Sequence, residues 1–117
     1  MKEVTIAILT HVSDGTATVY SERPLLGYLH AIRYTPTTIA TGATVTITCG
    51  TDTKPLLTKA TAGTAVAWFY PRDFAHAVAD GAALTDRTFP ILDGKIKVAI
   101  ASGGNSKVGT VTVYYEE

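Results

Sequence analysis

The chain is poor in the residues that carry most site chemistry: it has one Cys, one Met, one Trp, one Asn and no Gln. The lone Cys49 cannot close an internal disulfide, so the fold has to stand on burial, and the chain suits a reducing cytoplasm. Charge is scarce as well. Ten Lys plus Arg balance ten Asp plus Glu to a formal +0, and the charged fraction of 17% lies below the roughly 25% of an ordinary soluble domain. That balance argues against direct nucleic-acid binding, which relies on phosphate neutralisation. Long hydrophobic runs are missing although 46% of residues are hydrophobic. No run nears the roughly 18–20 residues of a membrane helix, and Met1-Lys2-Glu3-Val4 already alternates, which is neither a membrane span nor a signal peptide. No period of about 20–50 residues recurs, and 117 residues supply one core, so residues 1–117 read as a single domain.

Threonine is what the chain has in abundance: 20 residues, many at alternate positions. A β-branched side chain suits a pleated surface and its hydroxyl suits the wet face. From Ala43 to Cys49 the apolar set Ala43, Val45, Ile47 and Cys49 opposes Thr44, Thr46 and Thr48, the pattern of a half-buried strand. Ile96, Val98 and Ile100 oppose Lys95 and Lys97, and Val111, Val113 and Tyr115 oppose Thr110, Thr112 and Tyr114. The link Ser102-Gly103-Gly104-Asn105-Ser106 tolerates positive φ and predicts a hairpin between these two strands. A second hairpin is predicted from Val4–Leu9 and Thr16–Tyr20 around Ser13-Asp14-Gly15. Further strands are expected at Leu26–Thr35, at Lys54–Lys59 with Pro55 at a strand start or on an edge, and at Val66–Tyr70, which reads as covered on both faces. One segment changes period: Phe74, Ala77 and Val78, with Asp73 as N-cap and Gly81 past the end, predict a short helix over Asp73–Ala79. The expected fold is all-β, a single-domain β-sandwich of Greek-key or jelly-roll kind with about eight short strands and at most one short helix. The ends read as short arms.

The reactive residues do not assemble a catalytic pattern. Cys49 is in phase with Val45 and Ile47, hence a buried, quiet thiol. No Ser stands in a Gly-x-Ser-x-Gly elbow, and His11, His30 and His76 have no metal-ligand spacing. His30 shares the alternation of Tyr28, Ile32 and Tyr34 and reads as a hydrogen-bonded structural side chain. Asp14, Asp80 and Asp93 each precede Gly, which is turn chemistry. No catalytic residue, cofactor or metal is therefore expected. The candidates for contact with a partner are Trp68, Tyr70 and Tyr114. Trp68 and Tyr70 suit either a packed surface or a carbohydrate-binding groove, and Tyr114 is a large aromatic on a Thr-bearing face.

Two stretches, Tyr28-Leu29-His30-Ala31-Ile32-Arg33-Tyr34 followed by Val45-Thr46-Ile47-Thr48, and Lys95 through Thr110, together with Gly81-Ala82-Ala83-Leu84-Thr85-Asp86 between them, resemble small all-β virion proteins of tailed bacteriophages. The matching stretches span about half of the chain; Thr51–Arg72 matches poorly. The resemblance implies a non-enzymatic structural protein on the capsid surface of the virion, made in the host bacterial cytoplasm, that decorates or cements the head. Its expected partners are the major capsid protein and further copies of itself, a trimer at local three-fold positions, with no membrane partner. A neck or tail component is the first alternative, and a carbohydrate-binding β-sandwich module the second.

Overall fold

The computed structural model describes all residues from Met1 to Glu117. Eleven strands and no helix form: β1 (Lys2–Leu9), β2 (Ala17–Tyr20), β3 (Leu25–Thr35), β4 (Thr44–Cys49), β5 (Lys54–Lys59), β6 (Ala67–Phe69), β7 (Asp73–His76), β8 (Ala83–Thr88), β9 (Ile91–Gly94), β10 (Ile96–Ala101) and β11 (Val108–Glu116). Eight of them fall on the expected strands or extend them; the other three are β7, which stands where a helix was expected, and β8 and β9, where no strand was expected. Two sheets face each other. One runs β1-β11-β3-β6, with β9 also paired to β3, and the other runs β2-β10-β4-β5; all pairings are antiparallel.

The alternation predicted the buried faces of β4, β10 and β11 correctly. Ile6, Ile8, Ile32, Tyr34, Val111, Val113 and Tyr115 from the first sheet meet Val45, Ile47, Cys49, Ile96, Val98 and Ile100 from the second in one cluster of 20 buried residues. Each fully buried aliphatic side chain contributes about 1.5–3 kcal/mol relative to exposure, which is what holds two sheets together without a disulfide. Pro55 lies near the start of β5, an edge strand, where its missing N–H costs nothing.

Both predicted hairpins are corrected. Lys95–Ile100 does not pair with Thr110–Tyr115: β10 lies between β2 and β4, while β11 lies between β1 and β3 in the opposite sheet. Likewise β1 and β2 belong to different sheets. Period-two patterning specifies which side of a strand is buried and leaves its neighbour open. The connections decide, and here they arch from sheet to sheet and lock onto each other. Gly103 N donates to Gly15 O at 3.0 Å, and the Thr10 hydroxyl, itself buried, donates to Gly104 O at 2.5 Å and accepts from Lys107 N at 2.7 Å. The positive φ expected of this loop is present, at Ser102, Gly104 and Ser106.

The ends are not arms. Lys2 pairs with Tyr115 across β1 and β11, the Lys2 ammonium and Glu117 carboxylate form an ion pair at the surface, and Tyr115 is 3% exposed. Gly27, at φ +146°, makes room for this last turn of chain: a Cβ there would lie 2.1 Å from Glu116 O, so only glycine fits.

The expected helix over Asp73–Ala79 is also absent. Its place is taken by β7, which pairs with β8 in a two-stranded hairpin outside both sheets. Helices shorter than about 12 residues need tertiary packing to persist, and this segment buries no residue against the body, touching it at its base through Asp73 and Lys54. The Asp80-Gly81 turn instead closes the hairpin: Asp80 Oδ1 accepts from Ala82 N at 3.0 Å, Ala77 N donates to Ala82 O at 2.8 Å, and Gly81 has φ +72°. The molecule measures 50 × 26 × 24 Å with a radius of gyration of 14.9 Å, above the roughly 13 Å of a compact chain of this length.

Candidate functional site

The three candidate contact residues do not remain together. Trp68, on β6, sits in the row Thr5, Thr112, Arg33, Trp68 that crosses the outer face of the first sheet. Tyr114 leans into that row: its ring stacks on Trp68 with centroids 5.4 Å apart and 26° between planes. The Arg33 guanidinium lies 5.3 Å from the Trp68 ring centroid and 5.9 Å from that of Tyr114. The three side chains form a lid on their own sheet, burying Thr112, whose hydroxyl is 3.3 Å from that of Thr5, and leaving Arg33 Nε enclosed without a hydrogen-bond partner. Tyr114 is thus covered from within the chain. Trp68 stays 46% exposed, and Tyr70, just beyond β6, is 63% exposed and outside the stack.

The expectation that Val66–Tyr70 is covered on both faces is corrected accordingly. Val66, Trp68 and Tyr70 are exposed, and only Phe69 and its side of β6 reach the core. β6 is three residues long and at an edge, so one of its faces meets no second layer. Arg33 was missed as a member of this strip, though its alternation against Ile32 and Tyr34 already placed it on the outer face.

A second feature was not foreseen at all. Beyond β3 the edge of the first sheet is shared, β9 pairing with Leu25–Tyr28 and β6 with Ile32–Tyr34. The gap between them coincides with a register shift: Tyr114 opposes Ala31 while Tyr115 opposes Leu29, which leaves His30 as the extra residue of a bulge. The bulge reverses the phase of the strand, so Leu29 is buried and Tyr28 exposed, against the expected shared face of Tyr28, His30, Ile32 and Tyr34. His30 Nε2 does find a partner, Glu116 Oε2 at 3.3 Å.

The chain leaves the sheet at this gap as the β7–β8 hairpin and returns through Phe89. A small cluster fastens its base. Arg72 donates to His30 O at 3.1 Å and to Pro71 O at 2.7 Å, and its guanidinium lies 4.4 Å from the Phe89 ring centroid, which in turn is 4.5 Å from the His30 ring. Lys54 Nζ, on β5, reaches Asp73 Oδ2 at 3.0 Å. Above this base no residue from Asp73 to Thr88 is buried. Phe74, Val78 and Leu84 are exposed, Phe74 being screened only by Arg87, whose guanidinium lies 3.7 Å over its ring.

The clefts of the body do not gather a reactive set. The largest, about 620 Å³, is lined by Tyr20, Asp93, Lys95, Lys97 and the turn at Gly50–Thr53. One of about 540 Å³ opens between β1 and β2. Cys49 borders the smallest, about 200 Å³, where its Sγ accepts from Asp93 N at 3.4 Å. Burial pushes the thiol above its ordinary range, which keeps it protonated and quiet. The Asp14 carboxyl is held low by the Thr16 N–H and hydroxyl, the geometry of a turn. The groups of His, Cys, Asp and Glu form no cluster of three fit to hold a metal ion.

Comparison of the chain with protein-family models, curated proteins and solved structures returns no match.

Proposed function

We propose that the protein is a non-enzymatic structural component of a tailed-phage virion, a cement that attaches to the assembled head through the major capsid protein and strengthens it. The observation that carries this reading is the β7–β8 hairpin. A two-stranded hairpin is marginal alone in water, yet this one is fastened at its base and displays Phe74, Val78 and Leu84 to solvent. Such an element gains its stability where a second surface covers it. The exposed Trp68 and Tyr70 side chains add aromatic area of the kind that anchors interfaces. A body of near-neutral charge lets many copies stand close together, and repeated weak contacts add through avidity. The strand and turn pattern described above, with its resemblance to small virion proteins, directs these surfaces toward a shell.

The test is retention of the purified protein on purified capsids, with survival of those capsids under heat or osmotic shock as the readout. Retention at high copy number and improved survival support the reading. Location as a single ring at one vertex would replace it with a neck or tail role, and quenching of Trp68 fluorescence by a glycan, with no shell binding, would replace it with carbohydrate recognition.

A further inference from the structure

The hairpin and the second sheet carry opposite charge. Residues 73–88 hold Asp73, Asp80 and Asp86 against Arg87, a net −2, so the rest of this neutral chain carries +2. Asp73 is engaged by Lys54 and Arg87 lies on Phe74, which leaves Asp80 at the tip and Asp86 lower on β8 without an ion-pair partner. The strands β2, β4, β5 and β10 contain Lys54, Lys59 and Lys97 and no acidic residue. Lys97 sits between Tyr20 and Thr48 on the outer face of that sheet, beside Lys95, and neither lysine has an ion-pair partner. Around them the face is one of small hydroxyls and methyls, Thr18, Thr46, Thr58 and Ala99. At its edge Tyr20, Lys95 and Lys97 border, with Asp93, the largest cleft of the body, into which an apolar hairpin can settle. The outer face of the first sheet is a poorer seat, because Tyr114, Arg33 and Trp68 already cover it.

The dimensions also fit. From Asp73 to the turn at Asp80 the hairpin can reach roughly 20 Å, close to the 24–26 Å cross-section of the molecule. Its base is pinned by Arg72 and Phe89, and the hairpin does not fold back on its own body. We propose that the β7–β8 hairpin of one copy lies across the lysine- and threonine-bearing outer face of the second sheet in another copy. Phe74 and Val78 supply apolar contact, and Asp80 and Asp86 meet Lys95 and Lys97. The two surfaces differ, so the contact is head-to-tail and propagates into rings or arrays instead of stopping at a two-fold dimer. The inference rests on the proposed structural role and specifies the surface through which copies join.

The test uses the full chain alone, without shells, so its failure leaves capsid retention to decide the functional reading. Wild-type protein is expected to self-associate in sedimentation analysis. Val78→Asp, at a fully exposed tip position, and Lys97→Glu should each fold with wild-type melting behaviour and weaken self-association by roughly tenfold or more. Mixing the two variants is decisive: the first has an intact face and the second an intact hairpin, so together they should form a 1:1 dimer that grows no further. A monomeric wild type, variants that associate as well as wild type, or a Lys97→Glu protein that self-associates normally while Val78→Asp does not, the sign of hairpins pairing with hairpins, would each overturn the proposal.

Discussion

In the body, strands from two facing sheets converge on one cluster of 20 buried residues, whereas between Asp73 and Thr88 no residue is buried. Both regions are antiparallel β-structure with the same ladder hydrogen bonds. What separates them is the second layer. Ladder hydrogen bonds contribute modestly in net terms because the unfolded chain bonds to water, and apolar burial supplies the remainder. The body therefore has a reason to hold its shape alone, and the hairpin is held by its fastened base and by a cation–π contact between Arg87 and Phe74. An element that the fold does not bury is free to be used by a partner.

The sharpest way to break the comparison is to put a charge where the two sheets meet. Ile47→Asp is expected to unfold the protein outright, since an unpaired buried charge costs several kcal/mol against a total stability of about 5–15 kcal/mol. Loss of a cooperative thermal transition in circular dichroism would show it.

A thiol placed in each region reports the difference directly. Native Cys49 should react with a thiol reagent only through rare opening, while the same reagent should label Val78→Cys in a Cys49→Ser background at close to the unfolded rate, a gap of several orders of magnitude. The raised thiol of Cys49 adds a pH signature. The unfolded thiol ionises first as pH rises through the ordinary thiol range, so the associated stability is present below that range and is lost progressively above it. Melting temperature compared between wild type and Cys49→Ser across alkaline pH measures this.

Next in size is the chain's last strand. Tyr115→Ala removes a side chain that is 3% exposed and should cost about 3 kcal/mol or more in denaturant unfolding. Removal of residues 114–117 should destabilise further, because it also frees the Lys2 end of β1. On the outer face of the same sheet Trp68→Ala should cost only about 1 kcal/mol, the scale of exposed stacking and cation–π contacts. At the hairpin tip, Val78→Asp should shift unfolding by less than about 0.5 kcal/mol. Hydrogen exchange completes the series, with amides of β7 and β8 exchanging far faster than those of β4 and β10.

Much of the body could be read from residue order. Alternation of Thr with Val and Ile in β4, β10 and β11 identifies both the strands and the sides they bury, because side chains of a strand point to opposite faces in strict turn. The same signal failed at β3, where one bulged residue at His30 reverses the phase, and at Val66–Tyr70, where an apolar run on both sides looked like a covered strand and is a short edge with one bare face. It failed again at Asp73–Ala79, where alanine-rich spacing imitates a helix and only Asp80-Gly81 hints at the turn. The aromatic strip was half legible: Trp68 and Tyr114 were each visible as contact residues, but their stacking and the role of Arg33 required knowing that β6 and β11 flank β3.

The sequence by itself determined that this protein is an all-β sandwich, which side of β4, β10 and β11 is buried, and that Cys49 belongs to the interior. These are local consequences of a two-residue period and of hydrophobic transfer. Only the tertiary structure decided which strands are neighbours, that both presumed hairpins are arches between sheets, and that the projecting element is an internal hairpin and not a chain end. The reason is physical: a strand with one apolar face is equally satisfied beside any partner that shares its core. The choice falls to the geometry of the connections, here the Gly15, Gly103 and Thr10 contacts that tie one arch to the other, and to what the body leaves uncovered.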